Sequence, residues 1–349
     1  MPAPSSALIA FTQQLSVLLK NGVPLVQSLE ALARQTHVPA FAVTVEGLVK
    51  TVSRGGSLSE AVAAYPATFS RLYASLIRVG ESTGDLTGAL DRLGEWLENE
   101  QSTVRKIRRA LTYPVMVLAL AGVLTALLFT TVVPQFMEIF QGLNVRLPWP
   151  TRILIWITTL ARNPGIWVLA LAASWGTRMG LLRLAARPAG RLALYRALLA
   201  FPALGPLFWF ADLGRFASTL RMAQDSGLDL IQSLRLAGES SNSPVLEHDL
   251  PKLLEAVQSG LLVSDHLGRS PGVYHPVLTH LTAAGEETAD LSSMLLRASN
   301  YFQEEVDDRI DSLAKLLEPV LLTTVGLLVG FVILGVFLPM YSYLGALQV

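Results

Sequence analysis

The sequence predicts an all-α, polytopic membrane protein with three transmembrane helices and two duplicated cytoplasmic six-helix bundles. Three observations predict this class: long uncharged apolar stretches, an internal repeat, and apolar residues spaced as on one face of a helix. Of the 349 residues, 51% are hydrophobic and only 15% are charged, whereas an ordinary soluble domain has about 25% charged residues. Membrane segments would account for this shortage of charge.

The composition also excludes several classes of protein. The chain has no cysteine, which excludes a disulfide scaffold, a thiol nucleophile and any zinc or iron–sulfur site held by cysteine. The 27 basic and 27 acidic residues cancel, so nothing favours a broad basic face for nucleic acid. We therefore expect no direct nucleic-acid partner.

Two stretches are long enough to cross a bilayer, which takes about 20 apolar residues. The 28 residues between Arg109 and Glu138 carry no charge, and neither do the 31 residues after Glu318. They predict transmembrane helix 1 at residues 111–134 and transmembrane helix 3 at residues 316–339. The alternative is a buried helix of a soluble protein, which is disfavoured because such helices seldom have more than about 18 uncharged residues.

A third apolar stretch predicts transmembrane helix 2 at residues 153–180. It contains Arg162, followed by Asn163, Pro164 and Gly165. An arginine at the bilayer centre costs about 2.5–3.5 kcal/mol. We therefore expect Arg162 at the outer interface, with the apolar span proper beginning near Gly165.

Basic residues predict the orientation of these helices. Four of them, from Arg105 to Arg109, precede the first predicted helix, and five arginines between Arg178 and Arg196 follow the second. Positive residues stay on the cytoplasmic side. This places a first bundle (1–110), a linker (181–214) and a second bundle (215–315) in the cytoplasm. It places a short connection (135–152) and the C-terminal tail (340–349) outside, so that the N-terminus is cytoplasmic and the C-terminus external.

The chain repeats itself with a shift of 205 residues. FTQQLSVLLKNGVPLVQSL, from Phe11, aligns with FASTLRMAQDSGLDLIQSL, from Phe216, and GESTGDL, from Gly80, aligns with GEETADL, from Gly285. Asp229 and Ala289 stand where the first copy has a proline and a glycine. The positions expected to shape the two copies are Gly22, Pro24, Gly56, Gly84, Pro114, Pro134, Gly227, Pro319 and Pro339. The four prolines numbered above 100 are expected near the ends of the membrane spans, where a missing hydrogen bond costs least.

Helix-breaking residues divide each copy into about six helices. In the first copy the breaks fall at 21–22, 37–39, 55–56, 65–66 and 83–84. From Leu86 to Arg109 the only breaker is Gly94, so the last helix of the copy is predicted to continue directly into the membrane span.

Four carboxylates of the repeated GE-x-T-[GA]-D-L motif are the candidate site residues: Glu81, Asp85, Glu286 and Asp290. Gly84 suits a positive φ, and an aspartate after it can accept hydrogen bonds from the free N–H groups of the next helix. Capping is the first interpretation. A partner-facing acidic patch and a weak divalent-cation site remain open as alternatives, because clustered carboxylates suit hard cations.

No catalytic arrangement is visible in the sequence. The five histidines lack the spacing of metal ligands, and no glycine-rich loop is followed by Lys-Ser or Lys-Thr. We expect no enzyme activity, no cofactor and no metal. A run of acidic residues precedes the third predicted span, and it suits either a solvated helix face or contact with a basic partner. The acidic run comprises Glu304, Glu305, Asp307, Asp308 and Asp311.

Taken in order, these motifs resemble the type II secretion F family, whose members are inner-membrane platform proteins of type II secretion systems and type IV pilus machines. The resemblance rests on F-x-x-Q-L-x-x-L-L-x-x-G-V-P-L (11–25), G-S-L-S-E-A (56–61), G-E-x-x-G-D-L (80–86), Y-P (113–114), V-P-x-F (133–136) and L-P-x-x-T (147–151). It implies a non-enzymatic, homo-oligomeric platform that couples a cytoplasmic ATPase to pilin or pseudopilin assembly, together with other inner-membrane assembly proteins. Whether the machine is a secretion system, a pilus or a DNA-uptake pseudopilus stays open.

Two other functions remain as alternatives. One is an oligomeric transporter component, because repeated halves are common in transporters; the absence of charged residues from predicted helix 1, and from predicted helix 3 after Glu318, counts against it. The other is a membrane enzyme, which would depend on residues such as His248 or His280.

Overall fold

The computed structural model describes residues 5–128, 163–202 and 204–346, together with a few positions between 131 and 160. The regular structure of these residues is helical, without strands, which confirms the predicted all-α class for this part of the chain. The chain forms two compact units, one of residues 1–106 and 192–309, the other of residues 107–191 and 310–349. Pro134 and most of the predicted external connection lie outside the described residues.

The first helix group comprises α1 to α5 and the start of α6. The helices are α1 (Ser5–Lys20), α2 (Leu25–Gln35), α3 (Pro39–Ser53), α4 (Leu58–Ala63), α5 (Arg71–Thr83) and α6 (Leu86–Leu127). The breaks fall where the sequence predicts them. Phe11, Leu29, Phe41, Leu72 and Tyr73 meet in the buried core, each with at most 4% of its surface exposed.

Local side-chain chemistry sets several helix ends in this group. Ser57 and Glu60 form a reciprocal capping box at the start of α4, and Pro24 is the N-cap residue of α2. Gly22 has a φ of 79° after the end of α1. Gly56 serves close packing, because a Cβ there would lie 2.9 Å from Thr51 Cγ2.

Two helices lie between the groups in the chain, α7 (Pro164–Ala185) and α8 (Pro188–Leu199). The second helix group follows them and comprises five helices and the start of a sixth. The helices are α9 (Gly205–Asp225), α10 (Leu230–Ser240), α11 (Pro244–Gln258), α12 (Val263–Arg269), α13 (Pro276–Thr288) and α14 (Leu291–Ala346). Gly227 has a φ of 85°. Asp229, which replaces the proline of the first copy, accepts a hydrogen bond from the N–H of Gln232 at 2.9 Å and so caps α10.

The two helix groups belong to one compact unit. Met222 of α9 and Leu236 of α10 lie in the same buried cluster as the core of the first group. Burial of apolar surface, worth about 25 cal/mol per Å², therefore stabilises this unit across both groups.

The second unit contains the later part of α6, the later part of α14, and α7 (Pro164–Ala185). Within the described residues, two helices are long and apolar enough to cross a membrane, over Leu86–Leu127 and Leu291–Gly335. Only 6% and 11% of their most apolar windows are buried. A core helix of a soluble protein would be mostly buried, so this alternative is disfavoured. The unbroken α6 confirms the predicted continuation of the last helix of the first copy.

The second predicted membrane helix stays a prediction. Its first ten residues lie largely outside the described part, and its remainder falls in the 22-residue α7. Asn163 caps α7 by accepting a hydrogen bond from the N–H of Gly165 at 3.0 Å. Helix α7 therefore begins close to the point where the apolar span was expected to begin.

The helices continue through two of the span prolines. Pro114 lies inside α6 and Pro319 inside α14, in each case several turns from a helix end. The missing backbone hydrogen bond of each proline therefore falls within a continuous helix. The expected location of these prolines near the ends of the membrane spans stays a prediction. Pro339 also lies within the bounds of α14.

Candidate functional site

Glu81 binds the start of a neighbouring helix. Its two carboxylate oxygens accept hydrogen bonds from the backbone N–H groups of Leu58 at 2.5 Å and Ser59 at 3.1 Å. These N–H groups open α4 and have no partner within their own helix. A negative charge at this end is also favoured by the helix dipole. Glu81 therefore fastens α5, on which it lies, to α4.

Asp85 serves a different helix. Its Oδ1 accepts a hydrogen bond from the backbone N–H of Gly88 at 2.9 Å, which is the capping contact that the sequence predicts for α6. Its Oδ2 lies 3.5 Å from Arg92 Nη2. The side chain remains 54% exposed, so a partner can reach it.

The second copy repeats both contacts. Glu286 accepts from the N–H groups of Val263 at 2.7 Å and Ser264 at 3.1 Å, at the start of α12. Asp290 accepts from the N–H of Ser293 at 3.2 Å, at the start of α14. The motif thus joins three consecutive helices in each group. The sequence did not predict that either glutamate binds the start of the preceding short helix.

The glycines of the motif have separate functions. Gly84 ends α5 with a φ of 77°, and Ala289 adopts the same left-handed conformation with a φ of 55°. Gly80 lets α5 approach α6, because a Cβ on it would lie 2.8 Å from the Cβ of Ala89. Gly285 is equally close to Leu291, whose Cα would lie 2.9 Å from an added Cβ.

These contacts favour capping over cation binding for the four carboxylates. Each of them accepts at least one backbone hydrogen bond, and the two glutamates use both oxygens. Among the described residues, no group of three or more His, Asp or Glu side chains is arranged to hold a metal ion. The described residues therefore give no support to the divalent-cation interpretation.

One residue of the acidic run contacts a basic residue of the same chain. Lys106 Nζ donates to both carboxylate oxygens of Asp307, at 2.8 and 2.6 Å, and so connects α6 with α14. Glu305 pairs with Arg309 on the same helix, at 3.6 Å. The other three carboxylates of the run, Glu304, Asp308 and Asp311, are exposed.

Two further ion pairs connect the helix groups. Arg215 of α9 lies 3.5 Å from Glu100 of α6, and Arg71 of α5 lies 3.2 Å from Glu239 of α10. Burial raises the pKa of Glu100, and the charge of Arg215 opposes this rise. The sequence contained no signal for these pairs, because their members are more than 100 positions apart.

A polar contact within the second group involves one of the histidines. His266 Nε2 lies 2.8 Å from Asp249 Oδ2, and both side chains are almost buried. Burial and the neighbouring Asp249 raise the pKa of Tyr274. At the matching positions the first copy has Thr44, Ala61 and Phe69, so this contact distinguishes the two groups.

A second polar contact joins the second group to the helix that precedes it in the chain. Tyr195, on α8 (Pro188–Leu199), donates a hydrogen bond to Asp212 of α9, and Ser243 joins the same contact. Burial raises the pKa of Asp212 to about 6, against the opposing hydrogen bond from Tyr195 and charge of Arg215. The tyrosine lies in the region that the sequence treats only as a linker.

In the part of the chain that the structure describes, fold and site define an all-helical protein with two apolar helices of membrane-spanning length and a repeated set of carboxylate helix caps. A model of the family described as "Type II secretion system (T2SS), protein F" matches residues 11–134 and 216–339. The chain belongs to this family. The two matched segments begin at the two copies of the sequence repeat.

Curated relatives extend over nearly the whole chain. It is 34% identical to the type IV pilus assembly protein PilC of Thermus thermophilus, over 98% of this chain and 84% of the relative. It is 30% identical to the type IV pilus assembly protein PilC of Pseudomonas aeruginosa, over 95% and 88%. It is 28% identical to the type II secretion system protein F of Pseudomonas aeruginosa, over 96% and 82%.

Proposed function

We propose that the chain is a non-enzymatic inner-membrane platform of a type IV pilus or type II secretion machine. In this proposal the chain couples a cytoplasmic ATPase to the assembly of pilin or pseudopilin subunits and acts as a homo-oligomer. The observation that carries the proposal is the double match to the family, together with relatives named for pilus assembly and for type II secretion.

The proposed organisation is two duplicated cytoplasmic six-helix bundles, at residues 1–110 and 215–315, and three transmembrane helices. The matching caps made by Glu81 and Glu286 support the duplication. The shared compact unit supports a common compartment for both bundles. If α6 leaves that compartment through the membrane, the chain has to return before residue 192. This requirement supports a middle span at residues 153–180 between the predicted spans at 111–134 and 316–339.

The proposed mechanism depends on helix continuity. Helix α14 runs as one helix of 56 residues from Leu291 to Ala346, and α6 runs for 42 residues from Leu86 to Leu127. A movement of the cytoplasmic bundles, driven by the ATPase, would be transmitted along these helices into the membrane. There it would move pilin or pseudopilin subunits into the growing fibre.

The absence of cysteine makes topology the first test. Single cysteines replace the exposed Glu60 on α4 and Asp265 on α12 in the full chain. We expect both to react with a membrane-impermeant maleimide only after the inner membrane is opened. Labelling of the two positions from opposite sides would contradict the proposed organisation.

A second test concerns mechanical coupling. An insertion of Gly-Gly-Ser after Gln101 interrupts α6 within the first unit, and the same insertion after Gly55 enters the turn between α3 and α4 as a control. We expect the α6 insertion to leave the protein in the membrane while abolishing fibre assembly or secretion in a complemented deletion strain. Normal assembly with the α6 insertion would contradict the mechanism. The transporter alternative predicts solute flux in proteoliposomes instead.

A further inference from the structure

An apolar groove opens in the first helix group between α1 and the connection of α2 to α3. Its volume is about 630 Å³. The buried rings of Phe11 and Phe41 and the side chain of Leu32 line it, together with the half-buried Ala7 and Val38. A groove of this size and apolar character suits a large apolar side chain from another segment.

The matching place in the second helix group is covered. A shift of 205 residues takes Ala7 to Asp212 and Val38 to Ser243. Asp212 and Ser243 are only 4% and 3% exposed, whereas Ala7 and Val38 are half-buried. Position 36 shows the same contrast, because Ser241 in the second copy is fully buried.

Helix α8 contributes to this cover through Tyr195. Tyr195 of α8 contacts both Asp212 and Ser243 through its hydroxyl group. Leu192 and Leu199 lie on the same face of α8 at helical spacing and are also half-buried. The second group therefore has a helix with an aromatic residue at the place where the first group has an open groove.

We propose that the groove of the first helix group binds an acidic, amphipathic helix of a partner protein, seated as α8 is seated on the second group. The partner helix carries a purely apolar anchor such as phenylalanine or leucine. Ala7 and Val38 replace the aspartate and serine that bind the tyrosine hydroxyl of α8. A tyrosine in this groove would lack both partners, and an unpaired buried hydroxyl is costly.

The basic residues at the groove indicate that the partner helix is acidic. Arg34 and His37 line the groove and are exposed, and no acidic residue lines it. The second group has Glu239 at the position of Arg34, where it pairs with Arg71 of the first group.

Helix α8, which contacts the second group through Tyr195, is basic, with Arg191 and Arg196. The positive charge of Arg34 favours an acidic helix in this groove in place of a basic one such as α8. The α8 of a second copy would bring its arginines close to Arg34, so it does not suit this groove. Binding of the partner helix does not depend on whether the chain serves a pilus or a secretion machine.

The first experiment identifies the occupant in cells. A photoreactive benzoylphenylalanine replaces Ala10, which is exposed and lines the groove, in the full chain within its native membrane. The same residue at Val43, exposed on α3 and outside the groove, is the matched control. A crosslink from position 10 alone to an acidic amphipathic segment of another protein supports the proposal. A crosslink to a second copy of the chain, to lipid, or to no protein would overturn it.

The second experiment measures binding directly. The probe is a fluorescent peptide, PAGELALFEALL, which is α8 with both arginines changed to glutamate and its tyrosine changed to phenylalanine. Fluorescence anisotropy follows its binding to the detergent-solubilised full chain. We expect Ala10→Trp, which fills the groove, to abolish binding, and the unaltered α8 peptide to bind at least about tenfold more weakly.

A double variant tests the charge requirement. Arg34→Glu combined with His37→Glu should weaken binding of the acidic peptide by about tenfold and strengthen that of the basic α8 peptide. Circular dichroism checks that each variant keeps its helical content. Absence of peptide binding to the unmodified chain, or equal binding to the Ala10→Trp variant, would overturn the proposal.

Discussion

Glu81 and Glu286, 205 positions apart in the chain, make the same contact: each binds the first two free N–H groups of a short helix 23 positions before it. Helices α4 and α12 have only six and seven residues. A helix this short leaves most of its backbone groups without partners in the helix. The glutamates supply the missing acceptors and hold each short helix against the next one.

Removal of Glu81 should loosen α4 locally. Glu81→Ala takes away a charged acceptor for two backbone donors, and we expect a loss of about 2 kcal/mol in the free energy of unfolding. Hydrogen exchange followed by mass spectrometry should show faster exchange at Leu58–Ala63. The matched variant Glu286→Ala should instead affect Val263–Arg269. Unchanged exchange at the start of α4 would show that its N–H groups do not depend on Glu81.

Asp85 allows capping to be separated from partner binding. Asn caps a helix as well as Asp does, so Asp85→Asn keeps the acceptor and removes the charge, whereas Asp85→Ala removes both. If the charge contacts a partner, both variants should impair fibre assembly or secretion. If the residue only caps α6, Asp85→Asn should behave like the unmodified chain. Asp290→Asn and Asp290→Ala repeat the comparison in the second group.

Ala289 is a position at which the protein can be stabilised. A non-glycine residue in the left-handed region costs about 1–2 kcal/mol, and Ala289 has a φ of 55°. Ala289→Gly should therefore raise the free energy of unfolding by about 1 kcal/mol, measured as a higher Tm in detergent. The reverse change in the first copy, Gly84→Ala, should lower it by a similar amount. An unchanged Tm for both variants would exclude backbone strain at this turn.

Stability should depend on pH through Asp212. Its pKa is about 6 in the folded chain, against an ordinary value of 3.8. The folded state therefore binds the proton of Asp212 more tightly than the unfolded state does. The stability that this protonation contributes is fully present below pH 3.8 and is lost as the pH rises through about 6. The change in pKa from 3.8 to about 6 corresponds to about 3 kcal/mol in the free energy of unfolding.

Asp212→Asn removes this titration. We expect the Tm of the variant, relative to the unmodified chain, to be higher at pH 8 than at pH 5. The exposed Asp265→Asn is the matched control. A relative Tm that is the same at both values of pH would contradict a buried, titrating Asp212.

The pair of Lys106 and Asp307 should tolerate exchange of its charges. Lys106→Asp or Asp307→Lys alone places like charges together and should impair assembly, whereas the double variant should restore much of the function. Partly exposed pairs contribute at most about 1 kcal/mol to stability, so the effect on Tm should be small. A double variant no better than either single variant would show that the two residues act separately.

Local features of this protein follow from its sequence. The breaks between helices coincide with glycine and proline, and the positive φ at Gly84 is favoured by the absence of a side chain. The sequence predicts one helix from Leu86 to Arg109 despite Gly94, and α6 runs unbroken through this stretch. The cap made by Asp85 also lies within three residues of its donor. Each of these depends on a few neighbouring residues, so one sequence was enough to predict it.

Contacts between distant segments were decided by the tertiary structure. The sequence marks Glu81 and Glu286 as repeated, and their equal distance from a Leu-Ser or Val-Ser pair was the only signal of their partners. It does not pair Lys106 with Asp307. Nor does it show that α8 covers the second group while the matching groove of the first stays open. Such contacts depend on which helix surfaces pack within a few ångströms of each other. The periodicity of one sequence predicts the apolar face of a helix, but it does not predict which other helix packs against that face.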